Sequence, residues 1–238
     1  MRDSRLEQIY GRRTSALWRD RLRRWLMPPL PLIPNPHEPK DFPLGRWNLY
    51  IGGGGSRTPG YVNLDLFLLP GVDVAADAHQ LPFADNVFTR VECDAVLEHV
   101  LDPYVVMREI ERVLAPGGFA HIVVPFCHPF HAYPYDYRRF TPQGLKLLKG
   151  DLDVIAEGWR TGPTATLLVF LIEYVKLLLP GKAWRAVAHG ILGWLLFPLR
   201  YLDLWLLPRM SSGILGNHTY LWLQKPATKK RLADSHNL

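Results

Sequence analysis

Four consecutive glycines, Gly52–Gly55, stand between two short strand-like runs, and the second run ends on a carboxylate, Asp65. Residues 47–65 read W-N-L-Y-I-G-G-G-G-S-R-T-P-G-Y-V-N-L-D. Glycine strips the side chains from one turn, so a ligand can press against bare backbone there. A carboxylate at the next strand tip can accept both hydroxyls of a ribose. The combination points to a nucleoside-bearing cofactor, and it demands strands ending side by side.

The rest of the chain supplies such strands. Residues 47–51, 61–65, 72–76, 87–93 and 119–124 read as strands, followed by weaker ones at 152–156 and 220–224. Asp102-Pro103 reads as an N-cap and first helical residue. Val106, Ile110, Val113 and Leu114 form that helix's apolar stripe, and Pro116-Gly117-Gly118 reads as its stop. Thr141-Pro142 opens a shorter helix. Alternation of this kind gives an α/β fold: an open, mostly parallel sheet with helices on both faces. Ligands then sit beyond the carboxyl ends of the strands.

Two segments stand outside this pattern. Residues 1–46 divide into a basic amphipathic helix and a Pro-rich linker. Trp18, Leu22, Trp25 and Leu26 share one helical face over 14–26, with arginines on the others. A helix of that kind suits an anionic membrane surface or a seat on its own domain. The domain proper is expected over 47–238, with an apolar helical insertion at 160–215, before the last strand. Within it Leu167–Leu179 carries only Glu173 and Lys176 as charges, and Ala186–Leu207 only Arg200 and Asp203. Neither stretch offers about 20 uncharged residues, so the expectation is a pair of helices lying in a membrane interface or forming a lid, with a transmembrane pair as the alternative.

The formal charge of +6 belongs mostly to the ends of the chain, not to its middle. Cys93 and Cys127 form no disulfide framework, so a reducing compartment is the default. The apolar run after Arg24 is short and proline-broken, unlike a signal peptide, which suggests a cytoplasmic location. The glycines fit neither common phosphate motif. A dinucleotide turn needs G-x-G-x-x-G, but Arg57 follows Gly52-x-Gly54 where the third glycine belongs, and no Gly-Lys-Ser/Thr ending is present for a P-loop.

Four ordered segments carry a likeness to a known family: L-Y-I-G-G-G-G-S with V-N-L-D; V-D-V-A-A-D-A-H-Q-L-P-F-A-D-N-V-F; V-L-E-H-V-L-D-P; and E-I-E-R-V-L-A-P-G-G-F-A-H-I-V-V-P. The chain resembles the class I S-adenosylmethionine-dependent methyltransferases, of the small bacterial type 11-like kind, whose sheet is Rossmann-like. The resemblance implies that Gly52, Gly53 and Gly54 pass the methionine and ribose of the cofactor. It implies that Asp65 holds the ribose diol, that Asp77 and Ala78 meet the adenine, and that Leu81 covers its ring. Glu98 and His99 would follow strand 4 at the cleft floor. Tyr50 stands where the family often carries an acidic residue.

S-adenosylmethionine supplies an electrophilic methyl, and the protein must align an acceptor and help remove its proton. Candidate bases near strand ends are His99, His128, His131 and Asp136. A metal site is not expected, since no second cysteine pair follows Cys127-His128. Nucleic acid is disfavoured as a partner: residues 92–96 read E-C-D-A-V instead of the Asn/Asp-Pro-Pro-aromatic run of base methylases. The expected acceptor is hydrophobic or lipid-linked (a glycan, a quinone-like compound or a glycolipid), met at the inner face of the cell membrane. A soluble enzyme acting on a small molecule or sugar, and a non-catalytic membrane scaffold of the same fold, are the rival readings.

Overall fold

The computed structural model describes residues 28, 31–210 and 214–227. The amphipathic helix expected at 14–26 and the basic tail beyond 227 lie outside the described residues.

Seven strands form one sheet in the order β3-β2-β1-β4-β5-β7-β6. They are β1 (Asn48–Ile51), β2 (Val62–Asp65), β3 (Val74–Ala75), β4 (Phe88–Asp94), β5 (Leu114–Pro125), β6 (Asp153–Thr161) and β7 (His218–Gln224). β1 pairs in parallel with β2 and with β4, and β2 with β3. β7 runs antiparallel to β5: Gly117 and Gly118 bond Lys225 at one end, and Phe126 bonds Asn217 at the other. The sheet is therefore mostly parallel and Rossmann-like. Its strand order reverses between β1 and β4, where such sheets open a crevice for ligands.

Each apolar run takes the place its composition requires. Leu49, Ile51, Val91, Cys93, Ile122 and Val124 are at most 1% exposed, as strands covered on both faces should be. Helix α1 (Pro103–Val113) starts where expected, with the Asp102 carboxylate accepting the amides of Tyr104 and Val105. Its stripe of Val106, Met107, Ile110 and Val113 is buried, each side chain worth roughly 1.5–3 kcal/mol.

The end of α1 differs from expectation. Helix gives way to strand at Leu114, so Pro116-Gly117-Gly118 lies inside β5 and stops nothing. Gly118 is there for clearance: a Cβ would sit 2.8 Å from the Ala115 carbonyl and 3.0 Å from that of Thr89. β6 also runs past its expected end to Thr161, with Gly158 making room for the Tyr220 ring. α2 (Pro142–Lys146) is the short helix announced by Thr141-Pro142.

The chain divides into two compact units. One holds Lys40–Ile122, Pro142–Glu157 and the described residues from Leu221 on; it contains the glycine turn. The other holds the described residues up to Pro39, Val123–Thr141 and the described part of Gly158–Tyr220. In this second unit lie α3 (Pro163–Leu178), α4 (Gly181–Leu196), a 3₁₀ turn Phe197–Tyr201, α5 (Leu202–Leu206) and a second 3₁₀ turn Leu207–Arg209. The insertion is thus more than the two helices foreseen. Gly181–Arg209 is one helical run, long and apolar enough by length and composition to cross a membrane. Its outer surface is greasy: Trp184, Ile191, Trp194, Leu195 and Trp205 are each at least half exposed.

Candidate functional site

The glycine turn and Asp65 face each other. The Gly54 amide donates to Asp65 Oδ2 at 2.8 Å, and the Phe67 amide approaches Oδ1 at 3.4 Å. Asp65 is 7% exposed, so its carboxylate is held at the turn and not in solvent. The turn itself requires glycine. Gly52 has φ +82° and directly follows β1, and a Cβ there would meet Val96 Cγ2 at 2.2 Å. Tyr50 packs edge-on against Tyr61, with ring centroids 6.0 Å apart. Directly beyond β4, Ala95 holds φ +53°, a left-handed conformation that costs a residue with a Cβ about 1–2 kcal/mol. Both strands at the sheet's reversal thus end in sharp turns of unusual backbone.

Asp77 lies just past β3. Its Oδ1 accepts the His79 amide at 2.9 Å and stands 2.6 Å from His79 Nδ1. The Asp102 amide donates to His79 Nε2, so the neutral ring carries its proton on Nδ1, facing Asp77. Burial works to raise the Asp77 pKa, but the bonds from His79 outweigh it and leave the carboxyl below its ordinary value. Ala78 and Leu81 are buried beside it. Glu98 is fully buried, with His99 Nε2 at 3.7 Å from Oε1. Burial and the nearby acids Glu98, Asp94 and Glu92 push the Cys93 thiol well up, which makes it a poor nucleophile.

Sequence reasoning missed what holds the Leu81–Asp85 loop. Glu109 and Arg112, both on α1, form a forked pair at 2.8 Å. Glu109 Oε2 accepts the Leu81 amide, and the Arg112 guanidinium donates to the carbonyls of Leu81 and Phe83 and to Asp85. The signal was available: the two lie at i, i+3 within E-I-E-R, which opens the last of the four ordered segments.

In the other unit, His128, His131 and Asp136 share the loop after β5. Asp136 is held in a fork by Arg139, with Nη1–Oδ1 at 2.5 Å and Nη2–Oδ2 at 2.7 Å, and it accepts the His131 amide at 2.8 Å. The bonds from Arg139 bring its pKa down to about 2. A carboxylate so weakly basic accepts protons poorly near neutrality, so its geometry is that of a brace. His128 Nδ1 lies 2.9 Å from Asn217 Oδ1, and its ring meets that of His131 edge-on at 4.9 Å. His128, Phe130, Asp136, Tyr137, Arg138 and Arg139 line an open cavity of about 330 Å³. The structure therefore gathers the expected cofactor residues, with His99, in one unit, and His128, His131 and Asp136 in the other.

Comparison with known proteins agrees with the fold. Residues 63–122 match the family model of a methyltransferase domain. A demethylmenaquinone methyltransferase of Mycolicibacterium paratuberculosis is 32% identical over 126 residues, covering 50% of this chain and 54% of that protein. One from Renibacterium salmoninarum is 43% identical over 108 residues, covering 45% and 42%. The chain spans about half the length of the curated relatives it matches. Among solved structures, the 4+2 cyclase SpnF superposes with a TM-score of 0.53 at 17% identity, over 90% of this chain and 84% of that one, a likeness of fold alone.

Proposed function

We propose that this chain, which carries a class I S-adenosylmethionine-dependent methyltransferase domain, transfers a methyl group to a hydrophobic, quinone-like acceptor at the membrane face. The observation that carries the reading is the Gly54–Asp65 contact at the tips of β1 and β2, beside the sheet's reversal. A carboxylate held at a side-chain-free turn is suited to the ribose diol of the cofactor. Gly52 and Gly53 would pass its methionine portion, and the second oxygen of Asp77 would meet the adenine amine. Leu81 and Ala78 would supply apolar cover for the ring. When bound, S-adenosylmethionine supplies the electrophilic methyl.

The acceptor class is supported by the relatives named demethylmenaquinone methyltransferases. The membrane face is supported by the exposed apolar side chains of α3 and α4, among them Leu167, Tyr174, Leu177, Trp184, Ile191 and Trp194. His99, His128 and His131 remain the candidate bases.

Titration calorimetry with S-adenosylmethionine tests the first half of this reading. Wild-type binding that is lost in Asp65→Ala supports it, and no binding by the full chain overturns it in favour of a non-catalytic member of the fold. Incubation with a demethylated menaquinone in its reduced form tests the second half. A product heavier by one CH₂ supports the quinone-like acceptor; an unchanged quinone and a methylated sugar or small polar molecule would replace it.

A further inference from the structure

Asp77, Ala78 and Leu81 fall on one short segment between β3 and β4. Residues 77–85 hold no helix or strand of their own, so their shape comes from what they lean on. They lean on α1, in the same compact unit, at two places. At one, the Glu109–Arg112 fork holds Leu81, Phe83 and Asp85. At the other, the contact is His79. The Asp102 amide, at the N-cap of α1, donates to His79 Nε2 at 3.2 Å. Asp102 is itself fixed, because its carboxylate accepts the amides of Tyr104 and Val105.

This contact settles what His79 does on its other side. A backbone N–H only donates, so Nε2 accepts and the proton of the neutral ring is on Nδ1. Nδ1 stands 2.6 Å from Asp77 Oδ1, and the His79 amide donates to the same oxygen at 2.9 Å. Two donors of one residue thus grip one oxygen of the carboxylate. Rotation that exchanged the two oxygens would break both bonds. Among the described residues, the hydrogen bonds of this carboxylate all fall on Oδ1. The Asp77 side chain is 59% exposed, so Oδ2 is the acceptor that remains for a ligand. The grip also outweighs the burial that works to raise the Asp77 pKa, and the group stays an ionised carboxylate that only accepts.

A fixed acceptor discriminates between purines. A 6-amino group offers it a donor. A 6-oxo group sets oxygen against oxygen, and neither atom has a proton to share. A carboxylate free to turn would swing away from that clash and admit either base. One held on Oδ1 cannot. The hold on Asp77 therefore bears on selectivity as well as on affinity.

We infer that His79 is the positioning residue that presents Asp77 Oδ2 to the 6-position of the cofactor's purine, and that it thereby selects a 6-amino base over a 6-oxo one. The inference rests on the reading of Asp77 as the adenine contact. It also gives α1 a part in the site, since the ring is held to Asp77 with Asp102 at its back.

Calorimetry on the full chain tests this with two probes that differ in the base, S-adenosylhomocysteine and S-inosylhomocysteine. Wild type should prefer the adenine probe by about tenfold or more, the worth of a hydrogen bond to a charged group. His79→Asn places an amide NH₂ where Nδ1 stood, so it keeps the donor to Asp77 and should keep the preference. His79→Gln reaches the Asp102 amide but gives up the donor, and His79→Ala gives up both; in these two the preference should fall several-fold. Nitrogen NMR on the ligand-free chain labelled with ¹⁵N-histidine, at mildly alkaline pH, should show His79 protonated on Nδ1. A ring protonated on Nε2 would overturn the inference. So would a preference that His79→Gln and His79→Ala leave intact, or a loss of affinity shared equally by the two probes, which would make His79 merely structural. In each of these cases wild-type binding of S-adenosylhomocysteine leaves the cofactor reading standing. A wild type that binds neither probe overturns that reading and the inference together.

Discussion

Asp203 caps a helix that begins forty residues before it, at Pro163: its Oδ1 accepts the Thr164 amide at 2.8 Å, and its Oδ2 accepts that of Ala165 at 2.9 Å. α3 has no cap of its own, since Gly162 at its N-cap offers no side chain. Gly162 is glycine because a Cβ there would stand 2.5 Å from the Asp203 carboxyl carbon. The two ends of the apolar insertion are thereby tied together. Asp203→Ala should lower stability by about 1–2 kcal/mol, the usual worth of an N-cap, and Gly162→Ala should do the same by pushing the carboxylate away. Thermal melting of both variants checks this; wild-type melting of either would show that the cap contributes little.

The glycine turn gives a sharper expectation for the cofactor. Asp65→Asn keeps an acceptor for the Gly54 amide but loses the charge, and Asp65→Ala loses both. S-adenosylmethionine affinity should fall in that order, by tenfold or more for alanine, as expected when a charged hydrogen-bonding group worth about 1.5–3 kcal/mol is removed. Calorimetry reads the dissociation constants directly. Equal affinities would move the ribose away from Asp65.

Arg112 acts on the same site from a distance. Removing its guanidinium takes a donor from the carbonyls of Leu81 and Phe83 and leaves Glu109 with the Leu81 amide but without the guanidinium's charge. Arg112→Ala should loosen the 81–85 loop, speed amide exchange there, and weaken cofactor binding, while Arg112→Lys restores little because one ammonium cannot replace a fork. Hydrogen exchange followed by mass spectrometry locates the effect; unchanged exchange in the loop would refute it.

Acid should unfold the insertion unit through His218. Burial, with smaller contributions from His128, His131, Arg139 and Arg160, lowers its pKa from 6.5 to about 3. Between those values the unfolded chain binds a proton that the folded chain refuses, so stability falls as pH drops through that window and is complete above it. The effect is on the order of a few kcal/mol. Asp136, with its pKa near 2, adds a second loss only below the ordinary carboxylate range. Denaturant melts from pH 7 to pH 4 should show the slope in wild type and a flatter line in His218→Asn. A pH-independent wild type would mean that His218 titrates normally.

Flotation with anionic vesicles examines the greasy face. Trp184 and Trp194 are 62% and 50% exposed on α4, and Lys182 and Arg185 are exposed at its start. Replacing both tryptophans with alanine should cut vesicle binding several-fold, and added salt should weaken it further through the cations. Binding that ignores both changes would place the membrane contact elsewhere.

The parts of this fold visible in the sequence were those with local causes. Asp102-Pro103 announced a helix start because capping is a contact between near neighbours. The apolar run at 119–124 announced a central strand because burial on both faces leaves no polar positions. What stayed hidden depends on partners far away in the chain. Pro116-Gly117-Gly118 looks like a helix stop, yet pairing with Lys225, more than a hundred residues later, makes it strand. Asn217 carries no motif at all; its importance comes from lying against Cys127, His128 and Thr166 at once.

The place of β7 between β5 and β6 has a consequence for how the molecule is made. β6 emerges from the ribosome some sixty residues ahead of β7, its neighbour among the described strands. The greasy helices are translated in that interval, while their anchor is missing. A nascent chain in this condition leaves apolar surface uncovered and is a natural client for chaperones until the last strand locks.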